Sequence, residues 1–200
     1  MKTDLYITST GNISPQNTFG NTILPDELVE YNSVRLTCIE PEYKNIIDPK
    51  MIRRMSRIIR MGVAASSSCL GQAAVKMPGA IVTGTAYGCL EDTGIFLTKM
   101  VEQNEQLLTP TAFIQSTHNT IGAQIALLLG CNGYNNAFVH RGFSFESALL
   151  DAALLIRENE ADNILVGAID ELTDRSFEIL QRFGLYKNEP VSSFDLYKTK

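Results

Sequence analysis

Short apolar runs alternate along this chain with longer stretches whose apolar positions recur at helical spacing. Leu5-Tyr6-Ile7-Thr8-Ser9 predicts a first strand, buried early in the fold. Thr10 to Pro15 closes it with turn residues. Residues 16–32 are polar and mixed and read as a loop. Val34 to Ile39 alternates well enough for a short peripheral strand, stopped by Pro41. Asp48-Pro49 is a helix start, an N-cap followed by proline at the first helical position. The periodicity carries that helix to about Val75. Met51, Met55, Ile58, Ile59 and Val63 share one face; Arg53, Arg57 and Arg60 share another. Beyond Arg60 the helix turns small, Ala64-Ala65-Ser66-Ser67-Ser68, which permits close packing against a neighbour.

Pro78-Gly79 breaks the pattern, and Ala80 to Thr85 predicts a second core strand. Glu91 to Gln106 reads as a helix. Thr109 to Thr117 reads as a loop opened by Pro110, and Thr117 to Leu129 as a helix ended by Gly130. Asn136 to His140 predicts a strand, Arg141-Gly142 a sharp turn, and Phe143 to Arg157 a helix with apolar residues on nearly every face. After the acidic turn Glu158-Asn159-Glu160, Asn163 to Ala168 is a fourth core strand. Thr173 to Phe183 is a last helix, capped by Gly184. Residues 185–200 form a polar, irregular tail. Strand and helix alternate throughout, so the expected fold is α/β, a mainly parallel sheet with helices on both faces, in one domain over residues 1–200.

Composition narrows the function classes. The chain has 200 residues, 44% hydrophobic and 20% charged, with a net charge of −5. That describes a globular chain with a real core and argues against a nucleic-acid binder. No signal peptide and no membrane-spanning run is read, so a cytoplasmic protein is expected. Cys38, Cys69, Cys89 and Cys131 are widely spaced and make no CxxC pair. With only two histidines, His118 and His140, no metal site is expected. The glycines at 84, 88 and 94 do not make GxGxxG, and no cofactor is expected.

The junction from Asn135 to Arg157 is where an α/β enzyme would place a nucleophile, because the turn exposes a side chain at a helix N-terminus. The order of landmarks around it resembles the amino-terminal half of a beta-ketoacyl synthase of the thiolase fold. Gly11…Ser14-Pro15 is similar to that family's first turn, and Ile81 to Gly88 to its glycine-spaced strand. Pro110 to Gly130 resembles its Pro-Phe loop and helix, and Val166-Gly167-Ala168-Ile169-Asp170-Glu171 its Gly-Gly-Ala-Glu segment. The resemblance spans nearly the whole chain. Within it, the chain is most like chain-length-factor-type subunits of type II polyketide and aryl-polyene systems.

The resemblance implies an acyltransferase, a 3-oxoacyl-[acyl-carrier-protein] synthase of fatty acid, polyene or polyketide biosynthesis. Its nucleophilic cysteine aligns with Gly142 here, and its following serine with Ser144. Glycine cannot attack a thioester, so the implied subunit does not condense by itself. Ser144 is a weak substitute without an adjacent base, and a helix N-cap is its plainer role. Cys131 reads as a buried thiol. The family's two catalytic histidines lie in its carboxyl half, and His118 and His140 do not match them by position.

Two further expectations concern partners. A helix apolar all round belongs inside a larger core, so Phe143 to Ile156 should be covered by a partner chain or by a carboxyl half. Asn136, Phe138, His140, Phe143 and Phe145 are then pocket-wall or interface residues. The strand Asn136 to His140 is expected to meet its counterpart edge to edge in a homo- or heterodimer with an active ketosynthase subunit. Arg53, Arg57 and Arg60 form a basic stripe: a solvated face on the plain reading, a dock for an acidic acyl carrier protein on the implied one.

Overall fold

The computed structural model describes residues 4–21 and 25–195. The chain divides into two compact units, one of residues 1–11 and 42–171, the other of residues 12–41 and 172–200.

The first unit is built on a three-stranded parallel sheet. Its strands are β1 (Ala80–Gly84), β2 (Tyr134–Phe138) and β3 (Ile164–Ala168), in the order β2-β1-β3. Every residue of β1 is buried, as its unbroken apolar run requires of a central parallel strand. Ile81 lies level with Asn135 on one side and Leu165 on the other. Six α-helices among the described residues belong here: α1 (Pro49–Ile52), α2 (Arg57–Gln72), α3 (Leu90–Glu102), α4 (Pro110–Gln115), α5 (Thr120–Leu129) and α6 (Ser144–Arg157). Successive side chains of a strand point to opposite faces. Ile81 packs with Ile58, Ile59, Ile121 and Ile125 of α2 and α5. A Cβ on Gly84 would lie 2.7 Å from the backbone of Ser144, which places α6 on the opposite face. The sheet thus has helices on both faces, as the alternation predicts.

The first expected strand does not form. Leu5, Tyr6 and Ile7 are exposed and outside the sheet. Three adjacent apolar residues carry no period, and β1 already has both neighbours. The segment is held by Ser9, whose hydroxyl donates to the Cys69 carbonyl at 2.8 Å, and by Gly11. A Cβ on Gly11 would collide with the Ala65 carbonyl, so the small stretch of α2 does admit a close neighbour.

The expected long helix is two. Asp48 caps α1, accepting from the Lys50 N–H at 2.7 Å, with Pro49 at its start. Arg54 and Met55 then make tight bonds to the carbonyls of Met51 and Ile52, and Ser56, extended at ψ 171°, opens α2. Met55 and Ile58 are both buried, so the apolar period runs straight through the break. The expected loop from Pro110 is α4, with Thr109 as its N-cap. The strand expected over Asn136 to His140 lies two residues earlier, as β2, and Arg141 to Phe143 form a 3-10 turn before α6.

The second unit contains α7 (Asp174–Arg182). Thr173 and Ser176 open it with a reciprocal capping box. Arg35 pairs with Asp174 and lies 5.0 Å over the Phe177 ring, which stacks on Tyr186. The strand expected over Val34 to Ile39 is absent. The Ile39 N–H there bonds the Ser14 carbonyl, and the segment has no strand to pair with among the described residues. Residues 185–195 form no helix, and Ser192 makes an isolated bridge to Asn32. Residues 196–200 lie outside the described residues.

Candidate functional site

Parallel strands gather chemistry at their carboxyl ends, and there β2 gives way to α6. Arg141 has φ +54°, a left-handed backbone that costs a non-glycine residue energy. Gly142 follows without a positive φ, and a Cβ built on it meets nothing within 4 Å. Neither backbone nor space demands glycine there.

Ser144 is 3% exposed. Its hydroxyl accepts from the His140 N–H at 2.8 Å. The carbonyls of Thr85 and Arg141, each at 2.8 Å, compete for its proton. So placed, it joins the turn to the end of β1 and is shielded from any substrate. Exposed His140 instead meets Ser147, Nδ1 to Oγ 3.1 Å, and its ring stands edge-on to Phe138 at 5.8 Å. The Asn136 amide donates to the Tyr134 hydroxyl, which donates to Asp151.

The helix sorts its apolar residues by size. Ser144, Ala148 and Ala152, four apart, are its buried residues. Phe143 (75% exposed), Phe145, Leu149, Leu150 (61%) and Leu154 all face outward. Within the described residues the outer face of α6 is uncovered, and β2 has no strand on its outer edge.

Neither buried thiol lies in the turn. Cys131 directs its thiol to the Pro78 carbonyl at 3.3 Å. Cys89 is wholly buried, and burial first, then Asp92 and Glu171, pushes its thiol up to about 12. It stays protonated and unreactive at neutral pH.

The sequence does not single these two carboxyls out as a pair; Glu171 enters there only as the end of the Gly-Gly-Ala-Glu-like segment. Glu171 accepts from the Glu91 N–H at 2.9 Å, capping the first turn of α3. Asp92, in the same turn, is 9% exposed, and the neighbouring Ser56 hydroxyl opposes the upward push of burial on its carboxyl. Burial raises both carboxyls above their usual range. Their mutual repulsion and Glu91 add to this for Glu171, and Arg57 and the Glu91 N–H oppose it. A carboxyl raised in the folded state binds protons more tightly folded than unfolded. Its contribution is therefore full below the unfolded value and lost as pH rises through the folded one. Melting curves across that range should show the chain losing stability as pH rises, and Asp92→Asn should flatten the slope; an unchanged slope contradicts the coupling. The only hint in the sequence was an acid within an otherwise amphipathic first turn.

The arginine stripe is not one face. Arg53 ends α1, Arg57 begins α2, and Arg60 lies 5.8 Å over the Tyr43 ring. The break after α1 rotates Arg53 out of register with the others. Lys50, Arg53 and Arg54 are together the exposed cations of the short α1 region. All of these belong to the layer opposite α6. Among the described residues no group of acidic, histidine or cysteine side chains could hold a metal, and no helix is long and apolar enough to cross a membrane.

The family model for the beta-ketoacyl synthase N-terminal domain matches residues 37–190. The chain belongs to the beta-ketoacyl synthase family. Its fold is thiolase-like. A solved ketosynthase (ApeO) in complex with its chain length factor (ApeC) from Xenorhabdus doucetiae is similar at 18% identity and TM-score 0.65, over 96% of this chain and 77% of that one. The ishigamide ketosynthase/chain length factor is similar at 19% identity and TM-score 0.64, over 76% of this chain and 44% of that one. A type II polyketide synthase acyl-carrier protein in complex with its ketosynthase bound to the hexaketide (AntDE:AntF) gives 17% identity and TM-score 0.71, over 89% and 54%. Against these last two, the ketosynthase-like chain spans about half the length of its relative. No curated protein sequence matches it.

Proposed function

We propose that this chain is a non-condensing ketosynthase-like subunit, a chain-length-factor-type partner of an active 3-oxoacyl-[acyl-carrier-protein] synthase in fatty acid, polyene or polyketide biosynthesis. The observation that carries the reading is the β2–α6 junction: Gly142 stands in its turn, Ser144 is buried behind it, and no cysteine lies between Cys131 and the end of α6; the family resemblance would put the nucleophile at Gly142. A covalent acyl step needs an exposed, activated nucleophile, and this turn offers none. The outward residues of α6 support a second layer over it, from a partner subunit or from further ketosynthase fold. Phe143 and Phe145 would then wall an acyl pocket, with Asn136, Phe138 and His140 near the mating edge of β2.

A second reading keeps the activity: an active synthase whose carboxyl half lies outside these 200 residues. The partial coverage of two of the three solved relatives favours it, and the nucleophile is what it lacks.

Co-expression tests the proposal. The chain should form a stable heterodimer with an active ketosynthase encoded beside it and condense nothing alone. A chain that binds no such synthase, or that condenses by itself, contradicts it. Carrier-protein docking is assigned to the basic residues, led by Arg53 and including Arg57 and Arg60. Arg53→Glu should weaken acyl-carrier-protein binding about threefold to tenfold at low salt, with the difference fading as salt rises; equal affinities by calorimetry remove the docking face.

A further inference from the structure

Between α1, α4 and α5 of the first unit runs a groove of about 420 Å³. Its floor is apolar: Met55 is buried and Met51 half-buried, and Ile114 (52% exposed) and Leu127 (70%) form its sides. Lys50 and Arg54 stand at its rim, and no acidic residue lines it. Neither cation has a carboxylate partner among the described residues. The side-chain amide of Gln115 donates to the Arg54 carbonyl, tying α4 to the end of α1 and fixing the spacing of the walls. The chain as a whole is acidic, at −5, so two unpaired cations beside an apolar trough are a local reversal of its charge.

We propose that this groove binds a small anionic amphiphile. Its carboxylate or phosphate head sits between Lys50 and Arg54, and its unbranched apolar chain lies along Met51, Ile114 and Leu127. The volume falls in the range of small-molecule sites. The Arg54 guanidinium presents a fork that matches a carboxylate or phosphate two bonds at a time, and Lys50 adds a mobile point charge. The tail gains in proportion to the apolar surface it takes from water. The site lies in the helix layer opposite α6 and does not rest on the non-condensing reading, so either can fail without the other.

Calorimetry on the full chain, with decanoate and neutral decanol as probes below their aggregation limits, is the test. Decanoate should saturate one site, and decanol should bind at least about tenfold more weakly, since it lacks the charge-assisted bonds. The double variant Lys50→Glu, Arg54→Glu should weaken decanoate by about tenfold or more, and so should Leu127→Asp. These side chains are exposed, so folding should survive; should a variant misfold, the decanoate–decanol comparison on the unaltered chain still decides. Equal binding of the two probes, no saturable decanoate binding, or undiminished binding by folded variants would overturn the proposal.

Discussion

Replacing Phe143 and Leu150 together by aspartate is expected to weaken pairing with an active ketosynthase subunit by at least about 100-fold and to leave the isolated chain folded. Leu150 lies on the outer face of α6 and Phe143 at its N-cap, at 61% and 75% exposure. In the isolated chain they contact mostly water, so the substitutions should shift its stability by no more than about 0.5 kcal/mol. Under a second layer, each loses about 1.5–3 kcal/mol of burial, and two carboxylates would have to be desolvated besides. Analytical ultracentrifugation of the co-expressed pair reads the first effect and thermal melting of the single chain the second. Unchanged pairing would mean that the partner does not cover this face. A collapse of the isolated chain would mean that the face is already packed.

The second large effect is on the fold itself. Gly84→Ala should destabilise the chain by about 1–3 kcal/mol, the usual cost of overpacking, which lowers Tm by about 2–12 °C for a chain of this size. The new methyl would meet backbone atoms, the Ser144 carbonyl group at 2.7 Å and the Phe145 nitrogen at 2.9 Å. A backbone cannot turn aside as a side chain can, so either α6 or β1 must move, and the junction moves with it. Gly71→Ala is the matched control. It sits in the last turns of α2 with nothing within 4 Å of the new atom, and should be neutral or stabilising by up to about 1 kcal/mol. If the two variants melt together, the contact between β1 and α6 is looser than described.

Much of this architecture was legible as pattern. The run Ala80 to Gly84 has no polar face, and it became the buried central strand. Gly130 and Gly184 end their helices in left-handed conformations, as glycine after an apolar period suggests. What misled at the amino terminus was apolar composition without a partner. Leu5 to Ile7 has the composition of a strand, but composition cannot supply a sheet edge. Met55 and Ile58 kept the helical period across a break that Ser56, a sound N-cap type, could have signalled. Thr109-Pro110 repeats the helix-start pattern of Asp48-Pro49, and α4 begins there.

The junction was legible in its shape and only partly in its chemistry. Counting residues placed glycine at the turn; it did not reveal that Arg141 carries the left-handed backbone, or that Gly142 has room for a side chain. Nor did it reveal that Ser144 is buried. Asp92 and Glu171 are 79 positions apart by their numbering, and only the fold, through the bond from the Glu91 N–H to Glu171 at the start of α3, brings them into electrostatic contact. The arginines illustrate the converse. Spacing alone joined Arg53, Arg57 and Arg60, and the break before α2 sets Arg53 apart from the other two.

Intact-mass spectrometry after incubation with an acyl thioester donor tests the central claim most directly. The chain is mixed with its ketosynthase partner and the donor, and each subunit is weighed. The partner should gain one acyl group and this chain none, because Gly142 offers no nucleophile and Ser144 and Cys131 are buried. A stoichiometric acyl adduct on this chain, mapped to Ser144, Cys131 or any other residue, would contradict the non-condensing reading.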